Sequence, residues 1–257
     1  MANFNSESFK MFEALVAQTN NTYAFNDESS VKGVGVLLDV IKSMGLNPLK
    51  TKDLKEGLFS LFNIEIINMP DFDNNRFILA PNHVSDLDAL ILGLLHPNIR
   101  VVAKIDWTSN EKLRQFLDIH YDLHGLDRAS LQSLRSLVAD SIKYFAKTDE
   151  NKHFLVFNQG TISDFNNNSP ERVSTIAQKI SCRADVPVVS VFIEQVSLNH
   201  PTRIIFDEPI ELSPKDDFRK IWLEREAAMQ KSLVPPARLP KLTHKHANNN
   251  KPGDIFF

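Results

Sequence analysis

The chain has 257 residues, long enough to bury one substantial core. Its 42% hydrophobic and 24% charged content is that of a globular protein, and a net charge of −3 leaves no basic field to attract nucleic acid. Cys182 is the only cysteine, which excludes an internal disulfide and a cysteine-based zinc site and fits a reducing compartment.

The N-terminal residues Met1-Ala2-Asn3-Phe4-Asn5-Ser6-Glu7 lack the basic start and apolar run of a secretory leader, and no window approaches about 18 uninterrupted apolar residues. The expectation is a cytoplasmic protein, with scope for peripheral contact on the inner face of a membrane. Three amphipathic helix patterns come first. Residues 6–18 carry Phe9, Phe12, Leu15 and Val16; residues 30–44 carry Val34, Leu37, Leu38, Ile41 and Met44; residues 53–62 carry Leu54, Leu58, Leu61 and Phe62. Asn20-Asn21 and the run Gly45 to Pro48 break them.

From residue 64 the pattern changes. Ile64-Glu65-Ile66-Ile67 and Phe77-Ile78-Leu79 read as strands, joined by the turn-rich segment Pro70 to Asn75. Helices are predicted at 86–95, near 110–118, and at 129–146, 171–183 and 215–231; strands are predicted at 100–104, 153–157, 186–193 and 203–207. Such alternation predicts an α/β layered domain, a mixed and mostly parallel sheet flanked by helices, preceded by an N-terminal helical segment. The expected division is 1–62 helical, 63–234 α/β domain, and 235–257 a polar, mobile tail holding Pro235, Pro236, Pro240 and an Asn248-Asn249-Asn250 run.

The segment Ala80-Pro81-Asn82-His83-Val84-Ser85-Asp86-Leu87-Asp88 sits between an apolar strand and an apolar helix. A carboxylate that holds an imidazole fixes its tautomer and stabilises the imidazolium, which is how a general base is built. Ser85-Asp86-Leu87-Asp88 also fits a helix capping box, in which Asp88 would serve backbone N–H groups. Positions five apart in an ideal helix point about 140° away from each other, so His83 and Asp88 meet only if His83 lies in the turn before the helix. Other histidines are weaker candidates: His120 and His124 with Asp122 and Asp127 could suggest a metal site, but read as solvated loop residues. No G-x-S-x-G nucleophile elbow is present, and Cys182 falls on a predicted helix away from these motifs.

Three later stations accompany the pair: Asp127-Arg128 before a helix, Phe157-Asn158-Gln159-Gly160-Thr161-Ile162-Ser163 after a buried strand, and the strand Val186-Pro187-Val188. Together they resemble the glycerolipid acyltransferase family, whose bacterial type member acylates 1-acyl-glycerol-3-phosphate. Asn82, His83 and Asp88 match its N-H-x4-D motif, Asp127-Arg128 its second, and Val186-Pro187-Val188 its V-P-V-x-P strand. Phe157, Gly160, Thr161 and Ser163 match its F-P-E-G-T-R-S motif. The resemblance covers about residues 64–210. Asn158, Gln159 and Ile162 depart from the third motif, where the family has proline, glutamate and a phosphate-holding arginine.

The resemblance implies an O-acyltransferase that needs no metal or other cofactor and moves a fatty acyl group from acyl-CoA or an acyl carrier protein. The acceptor is a hydroxyl of a glycerolipid such as 1-acyl-glycerol-3-phosphate. It implies His83 and Asp88 as the catalytic pair, and Arg128, Gln159, Gly160 and Thr161 as substrate-binding residues. A lipid acceptor, the acyl carrier and peripheral membrane contact are the expected partners. The altered third motif leaves two alternatives open, a catalytically silent lipid-binding relative and a thioester hydrolase.

Overall fold

The computed structural model describes residues 27–85, 87–105, 111–127, 129–146, 151–159, 173–194, 198 and 200–232. Within them lie seven helices: α1 Asp27–Ser43, α2 Thr51–Leu61, α3 Leu87–Gly93, α4 Glu111–His120, α5 Leu131–Ala146, α6 Ile176–Ala184 and α7 Phe218–Ser232. The strands are β1 Ile64–Ile67, β2 Phe77–Pro81, β3 Ile99–Lys104, β4 Asp122–Leu126, β5 His153–Leu155, β6 Val188–Ile193 and β7 Thr202–Phe206. The helix expected at 6–18 and the tail from Pro235 lie outside the described residues.

The strands form one sheet in the order β1-β7-β6-β2-β5-β3-β4. Every neighbouring pair is parallel except β6 and β7. The sheet is therefore mixed and mostly parallel, as expected. Its central strands are buried on both faces: β2 and β6 have no exposed residue. This is why they read as continuous apolar runs rather than alternating ones.

Alternate residues feed two cores. Leu79, Leu155, Val189 and Val191 face one side and pack with Leu37 and Ile41 of α1, Leu54 and Leu58 of α2, Leu90 and Ile91 of α3, and Leu117 of α4. Ile78, Ala80, Phe154 and Val188 face the other, against Leu137 and Phe145 of α5, Ala177 and Ile180 of α6, and Trp222 of α7. The described N-terminal helices thus cover one face of the sheet. Gly93 ends α3 where a Cβ would come within 2.7 Å of the Tyr121 ring, so only glycine lets the helix sit this close. Strand β4 was not expected from periodicity. Its residues, Asp122-Leu123-His124-Gly125-Leu126, alternate poorly because β4 is a partly solvated edge strand.

One buried histidine makes the fold sensitive to acid. His153 opens β5 with no exposed surface; its Nε2 lies 3.1 Å from the carbonyl oxygen of Phe72 and its ring packs against those of Phe72, Phe77 and His96. Burial, reinforced by the neighbouring His96, pulls its pKa from 6.5 down to about 4, against smaller opposing effects of the Phe72 carbonyl and Asp73. The unfolded chain takes up a proton near pH 6.5, while the folded chain resists until about pH 4. The stabilisation is complete above pH 6.5, declines as pH falls through this window and is gone below it, a loss of roughly 3 kcal/mol. Urea titrations at pH 7, 5.5 and 4 should show this slope, and His153→Phe should flatten it.

Candidate active site

The parallel strands carry their C-terminal ends to one side of the sheet, and His83 follows β2 there. Pro81 ends that strand, and Asn82 continues its pairing with β6 by unusual means. Its backbone N–H donates to Val191 O at 3.2 Å. Its side-chain amide then behaves like a peptide group, donating from Nδ2 to Ile193 O at 2.9 Å and accepting Ile193 N–H at Oδ1 at 2.7 Å. Trp222 Nε1 also donates to Ala80 O at 2.8 Å. The chain is thereby fixed immediately before His83.

The turn 82–85 then delivers His83 to Asp88, the second residue of α3. Asp88 is fully buried, and one oxygen, Oδ2, lies 3.1 Å from His83 Nδ1 and accepts the N–H groups of Val84 at 2.7 Å and Ser85 at 2.8 Å. Ser85 Oγ accepts from Leu87 N–H at 3.2 Å. One carboxylate oxygen thus both caps the turn and contacts the imidazole, so the two arrangements are geometrically compatible. Its other oxygen, Oδ1, has no hydrogen-bond partner among the described residues. The His83 side chain keeps 13% of its surface exposed while Asp88 keeps none, so the ring reaches the surface from a sealed support.

Strand β5 runs beside β2, and the residues after it meet the same turn. The Phe157 ring lies 4.2 Å from the His83 ring, centroid to centroid, tilted by 32°. Gln159 Oε1 accepts the backbone N–H of His83 at 2.9 Å. Of the expected site residues, the fold therefore brings together His83, Asp88 and Gln159. Arg128, Gly160, Thr161 and Ile162 lie outside the described residues; Asp127, which precedes Arg128, follows β4 at the same end of the sheet.

Two residues with structural parts in the site had no such part in the sequence reading: Asn82 and Phe157. Each stood as a motif match only. The fourth station does not reach the site: Pro187 precedes β6, and its carbonyl accepts Ile78 N–H at 3.0 Å, at the opposite end of β2 from His83.

The remaining candidates have other surroundings. His120 Nδ1 lies 3.0 Å from Thr51 Oγ1 at the junction of α4 and α2, and burial lowers the pKa of both His120 and His124. Among the described residues no three His, Cys, Asp or Glu side chains gather as a metal site would require. Cys182 lies on α6, its Sγ 3.2 Å from Leu212 O, and burial together with nearby Asp216 raises its pKa, the reverse of what a nucleophilic thiol needs. Among the described residues no helix is long and apolar enough to cross a membrane.

Comparisons with known proteins bear on this arrangement. No curated protein sequence matches the chain. The fold is similar to the crystal structure of the 1-acyl-sn-glycerophosphate (LPA) acyltransferase PlsC of Thermotoga maritima, with a TM-score of 0.52 and 16% identity over 90% of this chain and 99% of that one. At that identity the likeness speaks for the fold. The profile of the acyltransferase family matches residues 63–194, just over half of the sequence, from β1 through His83, Asp88 and Gln159 to the end of β6. The chain belongs to the acyltransferase family.

Proposed function

We propose that this acyltransferase moves a fatty acyl group from the thioester of acyl-CoA or an acyl carrier protein to a hydroxyl of a glycerolipid acceptor such as 1-acyl-glycerol-3-phosphate. The observation that carries the mechanism is the 3.1 Å contact between His83 Nδ1 and the buried Asp88 carboxylate. With the Nδ1 proton directed at Asp88, the lone pair of the neutral ring lies on Nε2. In the reaction Nε2 takes the proton of the acceptor hydroxyl as its oxygen attacks the thioester carbonyl carbon. The tetrahedral intermediate collapses, the carbon–sulfur bond breaks, and the departing thiolate takes the proton from the imidazolium. No covalent acyl-enzyme is required, in keeping with a Cys182 that is poorly suited to attack.

The acceptor rests on less of the site. Arg128 is the residue suited to a phosphate, because its planar fork donates paired hydrogen bonds, whereas Ile162 cannot. Backbone N–H groups around Gly160 and Thr161 are the proposed donors to the oxyanion. A lipid approaching this end of the sheet would meet apolar side chains: Ile105, following β3, and Leu131, opening α5, are 44% and 62% exposed. These support peripheral contact with a membrane.

The test is a panel assay with the purified chain. Labelled acyl-CoA or acyl carrier protein is offered with lysophospholipid, glycerol-phosphate and amino-lipid acceptors. Labelled product with a glycerolipid hydroxyl supports the proposal. Free fatty acid alone assigns a hydrolase, and lipid binding without turnover assigns a silent relative.

A further inference from the structure

Four consecutive backbone N–H groups, from Asn82 to Ser85, shape the turn that carries the base, and each has a defined acceptor. Asn82 N–H is taken by Val191 O, and those of Val84 and Ser85 by Asp88 Oδ2. The sheet and the carboxylate thus account for three. The fourth, at His83 itself, is taken by a side chain from the turn that follows β5, Gln159 Oε1 at 2.9 Å. A partly buried N–H without a partner would let this turn open toward solvent, and the imidazole would move with its own Cα. Phe157 and Gln159, on the segment and turn that follow β5, both contact His83, one at its ring and the other at its backbone N–H.

We propose that Gln159 is a positioning residue for the base: its uncharged amide oxygen fixes the His83 backbone while Phe157 backs the ring. The proposal rests on the reading of His83 as the group that takes the acceptor's proton. It assigns Gln159 a role through His83, distinct from a direct contact with substrate. An amide and a carboxylate can both accept the N–H, but only the amide does so without placing a negative charge beside the imidazole. Position and charge can therefore be separated by substitution.

The experiment compares Gln159→Leu, Gln159→Glu and His83→Ala in the full chain, with the donor and acceptor pair that gives turnover. Gln159→Leu should lower kcat by about 10- to 100-fold, the scale of a small misplacement of a reacting group, with acceptor KM changed less than about twofold. Gln159→Glu should recover most of kcat at alkaline pH. It should also move the acid limb of the kcat/KM profile to higher pH by about one unit, because the added carboxylate favours the protonated ring. Independently of any substrate, amide hydrogen exchange at His83 should be faster in Gln159→Leu and near wild type in Gln159→Glu. A rise in KM at unchanged kcat in Gln159→Leu would make Gln159 a substrate contact and overturn the proposal. So would unchanged exchange at His83, or an unmoved pH profile in Gln159→Glu. These outcomes count against the positioning role alone when His83→Ala is inactive; an active His83→Ala removes the base reading itself.

Discussion

Replacing Asp88 with asparagine should lower kcat roughly a thousandfold while leaving acceptor KM within a few-fold of wild type, by analogy with loss of the orienting carboxylate in other histidine-based sites. A thousandfold corresponds to about 4 kcal/mol of transition-state stabilisation. Asparagine keeps an oxygen able to accept the Val84 and Ser85 N–H groups now held at 2.7 and 2.8 Å, so the turn has the means to persist. It removes the charge that stabilises the imidazolium and allows an amide N–H to face the ring instead. Asp88→Ala goes further by stranding both N–H groups in a fully buried place, and should also destabilise the fold. Steady-state kinetics with thermal melts of both variants separate the chemical effect from the structural one. Comparable activity of Asp88→Asn and wild type would show that Asp88 is a helix cap and nothing more.

The second large effect is on stability. Asn82→Ala leaves the N–H and C=O of Ile193 buried without the 2.7 and 2.9 Å bonds they now share with the Asn82 amide. Each such group costs about 1–3 kcal/mol when left unpaired, so a total near 3 kcal/mol is expected. In a chain of this size that lowers Tm by roughly 6–12 °C. Activity measured well below the new midpoint should fall as well, because His83 is the next residue. A loss below about 1 kcal/mol would mean that the β2–β6 junction does not depend on the side-chain bridge.

The residues explain which parts of this molecule could be read in advance. Buried runs such as Phe77 to Leu79 and the strand around Val189 declared themselves, because strands covered on both faces are apolar throughout. Strand β4 did not, since an edge strand containing His124 and Gly125 carries neither a continuous nor an alternating apolar signal. The His83–Asp88 contact was legible because it is local: five residues, a strand before and a helix after. The Asn82 bridge spans 111 residues, and seeing it requires knowing that β6 lies beside β2. Gln159 was legible as a residue of the motif but not as an acceptor for His83 N–H, because local spacing says nothing of which strand neighbours which. The placing of Pro187 at the far end of β2 has the same origin: a motif fixes order along the chain, while register fixes which end of the sheet a residue occupies.

The direct test of the central claim is acyl transfer by His83→Ala alongside wild type, with labelled donor and a glycerolipid acceptor, each protein shown to be folded by its melt. Loss of the general base should reduce kcat by about 10²- to 10⁴-fold, with the fold retained. Transfer at the wild-type rate in His83→Ala would contradict the assignment of His83 as the base.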